Sequence, residues 1–258
     1  MELLSTENIC KSYNGRMIIR DISLRLQEGE LVSLLGLSGS GKTTLLNILA
    51  GLVPPDEGRV LLKGENITGK PGRVSYMLQK DLLLEHKKVI DNVALPLVIR
   101  GMKKEEARKK ADPYFERFGL GGTQMYYPSQ LSGGMRQRAA LLRTYLGSTS
   151  GVTLLDEPFS ALDMITKGQM HEWYQQVRGE LNLSTVLITH DVDEAILLSD
   201  RVCLLTGSPG EIRHEIRIET PRAERKDFNL QPAFLAYKQE IMRILQQNPE
   251  TARAGKTL

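Results

Sequence analysis

Short uninterrupted apolar runs alternate along the chain with longer stretches of helical periodicity. LVSLLG from Leu31, VSYML from Val74, VTLLD from Val152, TVLITH from Thr185 and VCLL from Val202 have strand length and no alternation. That pattern predicts strands covered on both faces. Two segments alternate strictly: DISLRL from Asp21, and EIRHEIRIE from Glu211, where Ile212, Ile216 and Ile218 share a face. Strict alternation predicts half-buried, antiparallel strands at sheet margins. With helical stretches between the apolar runs, the expected architecture is α/β with a largely parallel sheet.

Between Lys87 and Leu146 the texture turns helical. Ala107, Ala111, Phe115 and Phe118 fall at helical spacing, and KKEEARKK around them reads as a solvated face. Pro113 is expected to divide this helix, with Asp112 capping a new one. Beyond Pro221, FLAYKQEIMRIL sets Phe234, Lys238, Ile241 and Leu245 along one amphipathic helix, and the last ten residues are expected to fray. There is no internal repeat and no low-complexity linker.

Composition narrows the classes. A chain of 258 residues suits one large domain, or one domain with an inserted subdomain. The 34 Lys and Arg against 31 Asp and Glu give a formal charge of +3, too balanced for broad nucleic-acid binding through phosphates. No apolar run reaches the length of about 18 residues that spans a bilayer, and MELLSTENICKSY lacks a basic-then-apolar leader, so the cytosol is the expected location. Cys10 and Cys203 stand far apart without metal-ligand spacing, and both read as small buried hydrophobes with no disulfide.

The chemistry begins at GLSGSGKTT, Gly36 to Thr44, which spells G-x-x-x-x-G-K-T directly after the run LVSLL and before the helical TTLLNILAGL. Gly36, Gly39 and Gly41 let backbone N–H groups turn inward around phosphates, and the helix N-terminus adds positive potential. Lys42 reaches the outer phosphates, Thr43 offers a hydroxyl to Mg²⁺, and Ser38, Ser40 and Thr44 complete the nucleotide-binding positions. The loop indicates a nucleoside triphosphate and a metal, but GTPases, small-molecule kinases, helicases and transport ATPases all share it.

Other residues discriminate. VTLLDEP places Asp156 and Glu157 at a strand end, which in a parallel sheet faces the same crevice as the phosphate loop. Asp156 can hold Mg²⁺ through water, and Glu157 can polarise an attacking water. Two such acids alone are more often a solvated turn; the upstream phosphate loop reverses that preference. Gln79 follows VSYML, His190 follows TVLIT, and Asp163 closes SALD. Each alone reads as structural, and their common place at strand exits suggests a shared role. Tyr13 in KSYNG is either a core aromatic or a ring that stacks on a purine. LSGGMRQR, Leu131 to Arg138, is a second glycine-rich loop. It is either a helix start or a grip on a phosphate that the first loop does not hold.

In this order, the pieces resemble the ATP-binding cassette (ABC) ATPases over nearly the whole chain. GLSGSGKT resembles the Walker A loop, Gln79 the Q-loop, LSGG at Leu131 to Gly134 the signature, and VTLLDE the Walker B strand with its glutamate. SALD resembles the D-loop, His190 the switch histidine and Tyr13 the adenine-stacking aromatic. The resemblance implies a P-loop NTPase core, mostly parallel with an antiparallel β margin, carrying an inserted α-helical subdomain. The divisions are then 1–86 and 147–220 for the ATP-binding core, 87–146 for the helical subdomain and 221–258 for a helical tail. It implies ATP and Mg²⁺ as ligands, with Thr43, Gln79 and Asp156 on the metal and Glu157, His190 and Lys42 in catalysis. It further implies two cassettes head to tail, each ATP lying between one chain's Walker A loop and the other's Ser132, Gly133 and Gly134. Met135 stands where the commonest signature, LSGGQ, has glutamine, which bears on one side-chain contact and leaves Ser132 and Gly134 in place.

Without membrane helices of its own, the chain looks like the separate ATPase subunit of a bacterial importer. GSPGEIRHEIRIETPR and FLAYKQEIMRIL resemble the nitrate, sulfonate, taurine and pyrimidine-precursor importer group. A homodimer is therefore expected at the cytoplasmic face of the membrane, docked on permease subunits and served indirectly by an extracytoplasmic solute-binding protein, with no nucleic acid. KDLLLEHKKVIDNV, after Gln79, is expected to line the permease groove. Two other readings are an ABC ATPase acting on a ribosome or DNA without a permease, and a nucleotide-binding scaffold without turnover.

Overall fold

The computed structural model describes residues 1–225 and 227–247. The chain forms two compact units, Met1–Gly72 with the segment from Leu183 onward, and Arg73–Asn182. The fraying expected of the last ten residues lies outside the described residues.

In chain order the strands are β1 (Glu2–Tyr13), β2 (Arg16–Ile22), β3 (Arg25–Gln27), β4 (Leu31–Leu35), β5 (Glu57–Leu62), β6 (Glu65–Asn66), β7 (Ser75–Met77), β8 (Val152–Asp156), β9 (Ser184–Thr189), β10 (Arg201–Thr206) and β11 (Glu211–Arg217). The α-helices are α1 (Lys42–Leu49), α2 (Val89–Ile99), α3 (Lys104–Ala111), α4 (Tyr114–Arg117), α5 (Gly133–Gly147), α6 (Met164–Leu181), α7 (Val192–Leu198) and α8 (Pro232–Gln246).

In the first unit, β4 lies between β9 and β10 and runs parallel to both, while β11 closes the margin antiparallel to β10. Every residue of β4, β9 and β10 is buried, which is why their sequences run apolar without alternation. A separate antiparallel sheet pairs β1 with β2, β3 and β5. Asn14 and Gly15, at φ 51° and 75°, make the two-residue turn from β1 into β2. The first strand carries no clean alternation because its pairing with β5 slips between Glu7 and Cys10, at Asn8, whose φ is 49°.

Four sequence expectations need correction. DISLRL is not one strand: β2 ends at Ile22 and β3 starts at Arg25. Thr6 bridges the break, its hydroxyl donating to the Ile22 carbonyl and accepting from the Leu24 N–H, so Ile22, Leu24 and Leu26 stay buried in alternation although the strand does not. In β11 the register shifts opposite Leu204 and Leu205, which interrupts the alternation; Ile216 and Ile218 are buried and Ile212 is only half-buried. Asp112 ends α3, and Pro113 occupies the cap position of α4 without a side-chain cap, because the Asp112 carboxylate accepts from Gln124. Cys10 is half-buried, whereas Cys203 is fully buried with its thiol pushed up by burial, and both are unlinked.

In the second unit β7 and β8 pair in parallel, and α2 packs on α5 and α3. Ala107, Ala111, Phe115 and Phe118 are all buried, as their spacing predicts. Phe118 packs edge-on against Trp173 of α6 with ring centroids 5.6 Å apart.

Candidate active site

The phosphate loop belongs to the first unit. Register pairs Leu35 of β4 with Thr189 of β9, so Gly36 and His190 leave the sheet side by side. A Cβ on Gly36 would strike the Leu205 carbonyl. Gly41, at φ +93°, is the residue before α1, and a Cβ there would strike Ile19 Cγ2. Both positions therefore demand glycine, one for close packing and one for packing and backbone hand together. The first turn of α1 has neither an acidic residue nor a side-chain cap, which leaves its N-terminus suited to an anion. Lys42 is buried, and its ammonium donates to the carbonyls of Gly36 and Leu37, 2.8 Å from each. Ser40 is buried too, with no partner for its hydroxyl. Thr43 is exposed and Thr44 half-buried. A cavity of about 480 Å³ opens beside the loop, lined by Arg16, Ser38, Gly39, Thr206, Ser208 and Leu245.

Tyr13 is 43% exposed, which removes the core reading and leaves a ring available for stacking. The Lys11 ammonium sits 5.5 Å from its centroid.

The acids belong to the second unit. Parallel register pairs Met77 with Leu155, so Gln79 and Glu157 each follow two residues beyond that pair. Gln79 Nε2 lies 3.2 Å from Glu157 Oε2 and 3.4 Å from Ser160 Oγ. Glu157 is held at φ 46°, an unusual backbone for a side chain of its kind, and its carbonyl accepts from the Ser160 hydroxyl at 2.9 Å. Asp156 is buried, and its Oδ2 accepts the Tyr76 hydroxyl at 3.3 Å. Burial and the Asp156 charge push the Tyr76 phenol up, which keeps it a donor.

LSGG begins α5. Ser132 is exposed and caps the helix, its Oγ accepting from the Met135 N–H at 3.3 Å, and the helix starts at Gly133 with no acid in its first turn. A Cβ on Gly134 would stand 3.2 Å from Thr166 Cγ2. Asp163 caps α6 through the N–H groups of Ile165 and Thr166 and accepts the Thr166 hydroxyl at 2.6 Å, bonds that hold its carboxyl below the usual range. The structure thus links Gly134 and Asp163 through Thr166, and the helix-start reading of LSGGM holds at the level of geometry.

Sequence reasoning missed Tyr76, Ser160 and Arg136. Tyr76 was visible as the one aromatic residue in VSYML, and Ser160 as the head of SALD. Arg136 reaches from α5 to Asp81 at 2.9 Å and Glu85 at 2.7 Å, while Arg143, one helical repeat on, donates to the carbonyls of Asp81 and Leu82. Only the i, i+7 spacing of the two arginines hinted at this.

Among the described residues no group of three or more His, Cys, Asp and Glu could hold a metal ion. Taken singly, Thr43 of the first unit offers a hydroxyl, and in the second unit Gln79 offers an amide and Asp156 a buried carboxylate. Oxygen donors of this kind suit Mg²⁺, a hard cation that keeps several waters.

A model of the ABC transporter family matches residues 19–160. The chain belongs to this family. The ABC protein is 43% identical over 209 residues to the formylaminopyrimidine import ATP-binding protein ThiZ of Halalkalibacterium halodurans, covering 81% of each chain. It is 34% identical over 251 residues to the taurine import ATP-binding protein TauB of Escherichia coli O157:H7, covering 95% of this chain and 98% of that one. Among solved structures, the dimeric post-hydrolysis state of the ATP-binding cassette MJ0796 bound to ADP and Pi superimposes with a TM-score of 0.71 at 29% identity, over 85% of this chain and all of that one. This ABC protein is accordingly an ATPase with the α/β P-loop NTPase fold.

Proposed function

We propose that this ABC ATPase is the ATP-hydrolysing subunit of an importer, acting as a head-to-tail homodimer on a membrane permease at the cytoplasmic face. Its relatives named as import ATP-binding proteins support the importer reading. The observation that carries the dimer is the exposed start of α5: a serine cap and two glycines present helix amides to whatever lies outside the chain. That surface is matched to a phosphate, and a second copy's ATP supplies one.

Tyr13 stacks on the adenine in this scheme. Lys42 exchanges its two carbonyl partners for outer phosphate oxygens, and the α1 N-terminus holds the remainder of the charge. Thr43, Gln79 and Asp156 are the residues that would hold Mg²⁺, which when bound would neutralise phosphate charge as the reaction proceeds. Glu157 accepts the proton of the attacking water, His190 contacts the outer phosphate, and Ser132 and Gly134 close on the partner's nucleotide.

The test is Glu157→Gln, which keeps shape and removes the base. With ATP and Mg²⁺ the variant should run as a dimer in light scattering and hydrolyse ATP at least about a hundredfold more slowly than wild type. A monomer at saturating ATP overturns the sandwich. Co-purification with a permease from membranes tests the importer reading.

A further inference from the structure

The C-terminal helix α8 has no assigned part in ATP hydrolysis, yet its inward face packs against α7, just beyond His190, and borders the cavity beside the phosphate loop. Phe234 and Ile241 are buried in a cluster with Ala195 and Ile196 of α7. Lys238 Nζ lies 2.7 and 2.9 Å from the two carboxylate oxygens of Asp193. Two turns beyond Lys238, Leu245 lines the cavity beside the phosphate loop together with Leu37 and Ser38.

Asp193 stands in the first turn of α7, three residues beyond His190. Val192 packs on the same apolar cluster as α8. Asp191 caps that turn through the N–H groups of Asp193 and Glu194, and its own N–H donates to Thr189 Oγ1 at 3.0 Å. The backbone of His190 is thus anchored on one side by β9 and on the other by a helical turn that α8 grips with one apolar and one ionic contact.

We propose that Lys238 is a positioning residue for ATP hydrolysis: by holding Asp193 it sets the first turn of α7 and with it the direction in which His190 is presented. The proposal rests on the reading of His190 as a residue that contacts the outer phosphate. A half-exposed ion pair contributes little to stability, but a small misplacement of a group near the reacting atoms is costly in rate.

Steady-state ATPase kinetics of Lys238→Glu, Lys238→Arg, the charge-swapped Lys238→Glu/Asp193→Lys pair and His190→Ala test this. Side-chain exposures of 41% and 46% make all the Lys238 and Asp193 variants compatible with folding, which a thermal melt checks. Lys238→Glu should lower kcat about three- to tenfold with KM for ATP changed less than about twofold. Lys238→Arg and the charge-swapped pair should return kcat to within about twofold of wild type. Wild-type kcat in Lys238→Glu alongside an inactive His190→Ala overturns the proposal and leaves the role of His190 standing. Wild-type kcat in His190→Ala overturns the reading of His190 and the proposal with it. A loss in Lys238→Glu that the swapped pair fails to recover also overturns it, since the lysine then acts through something other than Asp193.

Discussion

Gln79 donates its side-chain amide to Glu157 across 3.2 Å, joining two residues that are 78 positions apart in the chain. The contact restrains the carboxylate proposed as the base, and Ser160 stands beside both. Gln79→Glu sets a second carboxylate against Glu157. Like charges this close repel, and the amide donor that restrains Glu157 is lost. ATPase activity should drop about tenfold below wild type, and a variant with wild-type activity means the two residues are apart in the working enzyme.

Lys42→Ala removes donors from two carbonyls and a charge from the phosphate site. The nucleotide-free protein should lose only about 1 kcal/mol, measured by urea unfolding, because those carbonyls regain water. ATP affinity by calorimetry should fall about a hundredfold or more, since a buried charge-assisted contact to phosphate has no substitute.

Gly41→Ala combines a positive φ with a collision against Ile19 Cγ2. A destabilisation of about 2 to 4 kcal/mol is expected. Adding Ile19→Ala relieves the collision but not the backbone strain, so the double variant should bind ATP better than Gly41→Ala and worse than Ile19→Ala. Equal affinity in the two glycine variants would show that φ alone decides.

In the helical part of the second unit, Arg108 grips both oxygens of Asp91 at 2.8 Å. Hydrogen bonds from Arg108 hold the Asp91 carboxyl below its ordinary range. The folded state therefore binds this proton at lower pH than the unfolded chain does. The stabilisation is complete above the unfolded value of about 3.9 and is lost as pH falls through the folded one. Arg108→Gln should cost up to about 1 kcal/mol at pH 7, screened by solvent, and nothing at a pH below both values. Paired urea titrations at the two pH values measure the difference.

Arg136→Gln removes the ion pairs from α5 to the Asp81 and Glu85 carboxylates and leaves the Arg143 bonds to the Asp81 and Leu82 carbonyls. Because those acids follow Gln79 on the segment proposed to face the permease, basal ATPase should stay within about threefold while its stimulation by reconstituted permease and substrate falls further. Equal losses in both would place Arg136 in folding alone.

The sequence by itself located the buried strands β4, β8, β9 and β10 and the motifs that follow them. Continuous apolar runs report an element covered on both faces, and β4, β8, β9 and β10 are covered in that way. GLSGSGKT, LLDE and LSGG are legible because each depends on local backbone shape. The long first strand escaped detection, since the shift at Asn8 destroys the two-residue period. Tertiary structure alone decided that Tyr13 is exposed, that Gln79 meets Glu157, and that Lys238 meets Asp193 three residues beyond His190. Periodicity records which face of an element is dry; which residue of a distant element stands against that face depends on strand order and register, and no local pattern encodes those.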